Sequence, residues 1–337
     1  MIQQAIKTVV ERHDLTREDA YQVMSCIMEG EATPAQIGAF MVAAKLKGET
    51  YQEITGFAQA MREKADRVHT RFSNAIDMCG TGGDGAGTFN VSTVASFVAA
   101  GGGVPVAKHG NRSVSSKCGS ADLLEAMGVK IDLDATQMGL CLDELGIAFL
   151  YAPALHKAMK YAVGPRREVA IRTFFNILGP LTNPALVRRQ LLGTYHPALP
   201  RLMAQVLNEL GADHILIIHG DECLDEISID GPTLVVELLD GTITEKRLYP
   251  KDFGLTANGK KEISGGSPDE NAELTLQLLK GKKGSARDIV VANAACGFLV
   301  SGLVKTISVG VEMAKESIDS GAALKKLQAL KQMSNDI

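Results

Sequence analysis

Tryptophan is absent from this chain of 337 residues, and aromatic residues make up only 5% of it. Surfaces that stack on bases depend on aromatic rings, so this composition disfavours such a surface. The net charge of −4 also disfavours a general nucleic-acid-binding protein, because such proteins contact many phosphates through Lys and Arg. We therefore expect no nucleic-acid partner.

Closely spaced cysteines are also lacking. The six cysteines lie far apart without a CxxC pair, which disfavours a zinc site or a disulfide scaffold and predicts reduced thiols in a cytoplasmic protein. No run of about 18 apolar residues occurs, and the N-terminus carries charges among its apolar positions, so no membrane span or export signal is predicted. The hydrophobic content of 45% and the length suit about two domains of ~100–200 residues each.

The first 70 residues predict helices only. Each predicted helix begins with a residue that caps a helix N-terminus, and two of them have a capping box. The capping residues are Thr16, Thr33 with Gln36, and Thr50 with Glu53, and the predicted stops are Gly30 and Gly48. These signals define a helical N-terminal region.

From "AIDMCG" onward, short apolar runs alternate with helical stretches; further runs are "GVPVAKHG", "VKIDL", "IAFLYA", "RQLLGTY" and "HILIIHG". This alternation predicts an α/β fold: a small all-helical domain plus a large α/β domain with a central, mostly parallel sheet flanked by helices. The basic, helical segment at about 153–185 interrupts the alternation and is predicted to return to the N-terminal helices. The predicted domains are therefore 1–72 with about 153–185, and 73–152 with 186–337.

The stretch "DMCGTGGDGAGTFNVST" has five glycines between positions 80 and 87 and leads into an apolar helix. Glycines after a strand let backbone N–H groups approach an anion, and a helix N-terminus adds a favourable dipole. The spacing G-x-G-G-x-G matches neither the dinucleotide fingerprint nor the Walker A motif. A phosphate-binding loop is favoured, with a purely structural turn as the alternative.

A second polar cluster follows the next predicted strand, in "VAKHGNRSVSSKCGSADLLEAMG". Its side chains are Lys108, His109, Asn111, Arg112, Ser113, Ser115, Ser116, Lys117 and Ser120. Open α/β sheets bind ligands at the carboxyl ends of their strands, so this cluster predicts a ligand site. His109 taken alone is more often a structural histidine.

Positive charge is concentrated in two segments of this mildly acidic chain. Residues 105–121 hold three Lys or Arg and no acid, and residues 156–172 hold five against Glu168. Patches of this size suit a small polyanion better than a long one, with solvated helix faces as the alternative.

The segments "GTGGD", "NVST", "KHGNRSVSSKCGSADLLEAMG", "RTFFNILGPLTNPA" and "LDEIS" together resemble anthranilate phosphoribosyltransferase, in the same order as in that family. The resemblance runs from the N-terminal helices to about residue 310. It implies a homodimer that transfers the 5-phosphoribosyl group from phosphoribosyl pyrophosphate to anthranilate in tryptophan biosynthesis, with Mg²⁺ carried by the pyrophosphate. It gives no indication for or against association with anthranilate synthase.

The resemblance also implies roles for individual residues, without a covalent nucleophile. The donor is expected to contact Gly80, Gly82, Gly83, Asp84, Thr88, Asn90, Ser92, Thr93, Lys108 and Ser120. Mg²⁺ is expected at Ser92, Asp225 and Glu226, although an Asp–Glu pair is more often an exposed loop feature. Arg166 is expected at the anthranilate carboxylate, and the further candidates for the acceptor channel are His109, Asn111, His156, Tyr161 and Gly179.

Arg167 and Arg172 are expected to support structure, and Tyr161 and His156 could equally pack between helices. Two departures from the family pattern adjoin the expected acceptor pocket: Lys157 replaces a usual Pro, and Val169–Ala170 replaces a usual Leu-Gly. Two alternative functions are a pyrimidine nucleoside phosphorylase-like enzyme, whose Ser-Gly-Arg-Gly-Leu stretch is missing, and a non-catalytic nucleic-acid-binding relative.

Overall fold

The computed structural model describes residues 1–113, 117–256 and 263–337. The helices in chain order are α1 (Ile2–Val10), α2 (Arg17–Glu29), α3 (Pro34–Lys47), α4 (Tyr51–Lys64), α5 (Val91–Gly101), α6 (Ser120–Ala126), α7 (Ala135–Leu145), α8 (Ala152–Leu155), α9 (Lys160–Val169), α10 (Phe175–Leu178), α11 (Leu199–Glu209), α12 (Pro268–Leu279), α13 (Ser285–Ser301), α14 (Ile307–Asp319) and α15 (Ala322–Asp336). The strands are β1 (Ile76–Gly80), β2 (Val106–Gly110), β3 (Ile147–Tyr151), β4 (Arg189–Gly193), β5 (His214–Gly220), β6 (Thr233–Leu239) and β7 (Thr242–Leu248).

Helices α2, α3 and α4 begin where the sequence predicts. The Thr16 side chain accepts from the Asp19 N–H, and Thr33 and Thr50 form complete capping boxes with Gln36 and Glu53. Capping satisfies backbone donors that have no partner within the helix, so these local signals define the starts of α2, α3 and α4.

The strands form one sheet in the order β3-β2-β1-β4-β5-β6-β7, within the described residues. The first five are parallel, and β6 and β7 are antiparallel additions at one edge. Helices α5 and α13 pack on one face, and α11 packs on the other at β5 and β6. The predicted class, a helical domain with a mostly parallel sheet flanked by helices, is confirmed.

The prediction of a strand at "VKIDL" is wrong. Val129, Ile131 and Leu133 are buried while the residues between them are exposed, as in a strand, but the segment pairs with no neighbour among the described residues. Alternation therefore reports one buried face, whereas a strand also requires backbone partners.

The segment between β3 and β4 leaves the sheet. Its helix α9 packs against α2 and α3. Residues of α9 and α10, including Ala162 and Phe175, share a hydrophobic cluster with the four N-terminal helices. This packing agrees with a return of the chain to the helical region, while the predicted domain boundaries stay a prediction.

No helix within the described ranges combines the length and apolar character that a membrane crossing requires.

Candidate functional site

The carboxyl ends of the central parallel strands meet at one edge of the sheet. Gly80, the last residue of β1, pairs with Gly193, the last residue of β4. A Cβ on either glycine would collide with Asp225, with its side chain at Gly80 and with its backbone at Gly193. Glycine at these two strand ends therefore lets the loop that carries Asp225 lie directly against the sheet.

The glycine loop, residues 80–90, connects this edge to α5. Gly82 and Gly83 have φ angles of +65° and +72°, which glycine adopts without the strain of other residues. The Gly82 N–H donates to Asp225 Oδ2 at 2.9 Å, and the Ala86 N–H donates to Asp84 Oδ1 at 3.0 Å. The loop is thus held by carboxylates on one side.

Several backbone donors of the glycine loop remain free. The N–H groups of Gly83, Asp84 and Gly85 have no acceptor within the described residues. Successive free N–H groups in a turn form a concave site for an anion. This feature favours the phosphate-binding interpretation over a purely structural turn.

Lys108, Ser92 and Glu226 come together below the loop. Lys108 is only 4% exposed, and its Nζ donates to the Met78 carbonyl at 2.7 Å and lies 3.5 Å from Ser92 Oγ. The Ser92 N–H, at the start of α5, donates to Glu226 Oε1 at 3.0 Å. A buried cation and the start of α5 therefore lie next to a carboxylate contributed from far along the chain.

The acidic residues at this edge lie close enough to raise one another's pKa values. Burial and the charge of Asp84 raise the pKa of Asp225 to about 7. Burial and the charge of Asp225 raise the pKa of Glu226 well above its usual range. A bound cation stabilises the ionised form of carboxylates that lie this close together. Mg²⁺ in particular prefers oxygen ligands.

No set of three His, Cys, Asp or Glu side chains in the described residues is arranged as a metal cage. Mg²⁺ commonly keeps waters and substrate phosphates in its shell and uses only one or two protein carboxylates. The chemistry of Ser92, Asp225 and Glu226 fits an ion held in this shared manner.

Three other residues that are expected to contact the phosphoribosyl donor have mainly structural contacts. The Asn90 side chain donates to the Cys118 carbonyl at 3.0 Å and accepts from Asn271 Nδ2 at 3.1 Å. Thr93 is 1% exposed within α5. Thr88 forms an isolated antiparallel bridge with Ser264, which closes the end of the glycine loop.

Several residues of the second polar cluster bond to one another or to α6. Ser120 Oγ donates to the Asn111 carbonyl at 3.1 Å, and Asn111 Oδ1 accepts from the Arg112 N–H at 2.7 Å. Arg112 forms ion pairs with Asp122 and Glu125 of α6. Its charge is thereby compensated, which reduces the basic patch that the sequence suggests; Ser115 and Ser116 lie outside the described residues.

Two buried histidines face each other where β2 approaches the segment after α10. The rings of His109 and His156 have centroids 5.2 Å apart. His109 Nδ1 lies 3.2 Å from the Gly179 carbonyl and donates to it, and the His156 ring lies close to the backbone of Thr182. The Nε2 atom of each ring is buried without a hydrogen-bond partner in the described residues. Each Nε2 atom is therefore a hydrogen-bond acceptor in a region shielded from water.

Asp77 holds His109 in place, a role not anticipated from the sequence. Its Oδ1 accepts from the His109 N–H at 3.1 Å, and its Oδ2 accepts from Asn183 Nδ2 at 2.8 Å. Burial raises the pKa of this carboxyl. A charged residue within the apolar strand "AIDMCG" is the signal that could have identified it.

Arg166 lies in the last turn of α9 with its guanidinium over the Phe175 ring, 5.0 Å from the centroid. Burial lowers the pKa of the guanidinium, and no ion pair joins it to any described residue. A partly buried arginine without a carboxylate partner is suited to bind a carboxylate ligand through its fork. Phe175 begins α10, which ends next to Gly179, so Arg166 and the histidines are connected through α10.

Tyr161, the remaining candidate for the acceptor channel, lies at the periphery of the candidate site. So do the two departures from the family pattern. The Tyr161 ring packs against Gly30 at the end of α2 and is 39% exposed, which favours packing between helices for this residue. Lys157 Nζ lies 2.7 Å from Asp66 Oδ2, both exposed. Ala170 ends α9 with a φ of +53°, a conformation in which the usual glycine would be unstrained.

Protonation of the two histidines predicts a pH dependence of stability. Burial, with the neighbouring His156 charge as a second cause, lowers the pKa of His109 to about 3, and burial lowers that of His156 to about 4. The unfolded chain therefore binds more protons below about pH 6.5, and stability falls as pH falls toward these values, by at most about 1.4 kcal/mol per pH unit per histidine.

We expect the double variant His109→Gln/His156→Gln to have a shallower decline between pH 7 and 5 than the wild type. Urea unfolding at several pH values measures both slopes. Equal slopes would contradict the assignment of buried, neutral histidines, whatever the absolute stability of the variant.

Comparisons with known proteins agree with this geometry. A family model described as the α/β domain of a glycosyl transferase family matches residues 73–324, and one described as its helical bundle domain matches residues 3–65. The chain is 51% identical to the anthranilate phosphoribosyltransferase of Pelotomaculum thermopropionicum, over 100% of this chain and 98% of the relative.

Two solved structures have the same fold. The anthranilate phosphoribosyltransferase of Thermus thermophilus aligns with a TM-score of 0.93 at 41% identity, covering 98% of this chain and 99% of that chain. The enzyme from Saccharomyces cerevisiae, solved in complex with PRPP and Mg, aligns with a TM-score of 0.92 at 26% identity, covering 100% and 98%.

The fold and these matches define a glycosyltransferase built from a helical bundle and an α/β domain. Within that class, the chain belongs to the anthranilate phosphoribosyltransferase family. The predicted family and its activity in tryptophan biosynthesis are confirmed, and neither alternative function is favoured.

Proposed function

We propose that the edge of the sheet described above performs the family's reaction, with the donor at the glycine loop and the acceptor between Arg166 and the two histidines. The free N–H groups of the glycine loop beside the buried Lys108 carry this proposal. They supply positive potential where a pyrophosphate group lies, and Ser120 adds a hydroxyl at the start of α6.

Ser92, Asp225 and Glu226 would hold Mg²⁺ together with the donor. When bound there, the ion offsets negative charge on the pyrophosphate. The protein residues have their own tasks. Asp225 fixes the glycine loop through the Gly82 N–H, and Glu226 fixes the first turn of α5 through the Ser92 N–H.

The chemical step joins the acceptor amine to C1 of the ribose while the bond from C1 to the pyrophosphate oxygen breaks, and the amine nitrogen releases one proton to the pyrophosphate or to water. Negative charge grows on the leaving group, so stabilisation of an anion contributes more than a covalent nucleophile. Lys108 and the loop N–H groups are fixed before the reaction, which avoids reorganisation at that moment. Lys108 therefore stabilises the leaving pyrophosphate.

The acceptor side is less polar. The Arg166 fork binds the carboxylate of anthranilate, and the Phe175 ring supports the guanidinium. The unpartnered Nε2 atoms of His109 and His156 accept hydrogen bonds from the acceptor amine. These contacts orient the amine toward the ribose, and such orientation is a large part of catalysis.

The decrease of anthranilate fluorescence on adding phosphoribosyl pyrophosphate and Mg²⁺ tests the proposed function. We expect turnover only when donor, acceptor and metal are all present. Turnover of pyrimidine nucleosides with phosphate, in place of this reaction, would support the phosphorylase alternative.

We also propose a homodimer formed through the helical region, in a cytoplasmic protein whose six cysteines form no disulfide among the described residues. Large apolar side chains are exposed on three helices that pack side by side: Val10 on α1, Leu46 on α3 and Val163 on α9, at 64%, 74% and 54%. Exposed apolar residues on neighbouring elements favour a protein interface.

The substitution Leu46→Glu should dissociate such a dimer, because it places a charge in an apolar interface. Light scattering should give twice the chain mass of 35.8 kDa for the wild type and the single mass for the variant. Leu303→Glu, at a 53% exposed leucine between α13 and α14, is the matched control and should remain a dimer. A monomeric wild type would contradict the proposal.

A further inference from the structure

Arg172 links the segment that carries the acceptor candidates to the glycine loop. It lies between α9 and α10, six positions after Arg166, and its Nη2 donates to the Gly83 carbonyl. Its guanidinium lies over the Tyr195 ring, 4.4 Å from the centroid. The Tyr195 N–H in turn donates to Thr81 Oγ1 at 3.1 Å, so the supporting ring is itself tied to the start of the loop.

The charge of Arg172 is not compensated by an acid. Its bond is to a neutral carbonyl, and no ion pair joins it to any residue that the structure describes. The contrast with Arg112, which is paired with Asp122 and Glu125, separates a structural arginine from one whose charge remains available. Arg172 therefore adds positive potential beside the free N–H groups of the loop.

The bond to Gly83 also orients the next peptide group. In a trans peptide the C=O and the following N–H point in opposite directions. Because the Gly83 carbonyl faces Arg172, the Asp84 N–H faces away from it, and that N–H has no acceptor in the described residues. A side chain at position 83 would crowd this contact, since an ideal Cβ there lies 3.3 Å from Arg172 Nη2.

We propose that Arg172 is a positioning residue for the phosphoribosyl donor, which fixes the Gly83–Asp84 peptide so that its N–H faces the pyrophosphate. The inference rests on the proposed function for the identity of the donor. It assigns Tyr195 the task of holding the guanidinium in position at the Gly83 carbonyl. It replaces the expectation that Arg172 only supports structure.

Steady-state kinetics provide the first test. Arg172→Ala should raise the KM for phosphoribosyl pyrophosphate about tenfold, the effect of losing one charge-assisted contact, and leave the KM for anthranilate and the kcat nearly unchanged. Arg172→Lys should recover part of the loss, since it restores charge but not the planar fork. Tyr195→Phe should behave as the wild type, and Tyr195→Leu as a weaker form of Arg172→Ala.

Arg167→Ala is the matched control, because Arg167 is an exposed arginine of the same segment with no hydrogen bond or ion pair to the loop among the described residues. It should leave both KM values unchanged. An equal rise of both KM values in Arg172→Ala, or a donor KM equal to that of the wild type, would overturn the inference.

Hydrogen exchange in the substrate-free protein tests the loop without turnover. In Arg172→Ala, the peptide that spans the loop should exchange faster at Gly82 and Ala86, whose N–H groups are bonded to Asp225 and Asp84. Calorimetry with Mg²⁺ and inorganic pyrophosphate should show binding about tenfold weaker than in the wild type.

The two failures can be told apart. A wild type that binds pyrophosphate but transfers nothing to anthranilate contradicts the proposed function, while exchange and calorimetry still decide the role of Arg172. Unchanged exchange and unchanged pyrophosphate binding in Arg172→Ala contradict the positioning role, even if the wild type is fully active.

Discussion

The double variant Asp225→Asn/Glu226→Gln should lose at least about 100-fold in kcat and should require more Mg²⁺ for half-maximal activity. The amides keep the shape of the side chains and can still accept from the Gly82 and Ser92 N–H groups, so the loop stays in place. What the variant loses is two anionic oxygen ligands at the position of the leaving pyrophosphate. The KM for anthranilate should change little, because neither residue is proposed to contact it.

Stability separates this effect from a loss of structure. Burial, together with repulsion by the nearby Asp84, raises the pKa of Asp225 to about 7. Neutral amides remove that repulsion, so the Tm should not fall. Titrating activity against Mg²⁺ gives the midpoints, and identical curves for variant and wild type would show that the pair does not hold the metal.

Asp132→Asn/Glu245→Gln is a matched control. Both residues are exposed, Asp132 before α7 and Glu245 on β7, and the substitution removes the same number of charges. It should leave kcat and the Mg²⁺ midpoint unchanged. A similar loss in this control would indicate a general effect of net charge instead of a local site.

The second large effect is expected at Arg166. Arg166→Ala should raise the KM for anthranilate about 50-fold, because a bidentate, charge-assisted contact is lost, while the KM for the donor stays within about twofold. The KM of Arg166→Lys for anthranilate should lie between the values of the wild type and of Arg166→Ala, since lysine keeps the charge without the planar fork. Equal losses for donor and acceptor would contradict the role of carboxylate anchor.

An acceptor without the carboxylate sharpens this test. With 2-aminobenzamide as acceptor, the wild type already lacks the ionic contact, so Arg166→Ala should cause little further loss in kcat/KM. A loss as large as that with anthranilate would indicate that Arg166 acts through packing on Phe175, 5.0 Å away, instead of through the carboxylate.

Local signals in the sequence were sufficient for much of the fold. The Thr33–Gln36 and Thr50–Glu53 boxes predict helix starts because a cap involves residues only three positions apart. The hairpin of β6 and β7 also has a local signal that was missed. Its two-residue turn is Asp240–Gly241, with φ angles of +47° and +81°, the composition typical of tight hairpins.

Contacts between distant segments were harder to predict. Lys108 and Glu226 could be expected near each other because parallel strands end at a common edge. The bond from Arg172 to Gly83 could not, because it depends on how the helical segment between β3 and β4 packs back toward the sheet. Asp77 was missed for a similar reason: its partner Asn183 lies near the end of that segment.

The strand order has a consequence for synthesis of the protein. β1 pairs with β4, so Ile76 can form its β4 backbone pairing only after Arg189 has been synthesised. The edge of the sheet is complete only when Asp225 packs against Gly80 and Gly193. Pairing of this kind closes long loops and slows folding. A nascent chain that has emerged only as far as β4 therefore has the glycine loop and Lys108, but it lacks Asp225, which bonds the Gly82 N–H, and Glu226, which bonds the Ser92 N–H. Its ability to capture the donor begins only once the loop after β5 has left the ribosome.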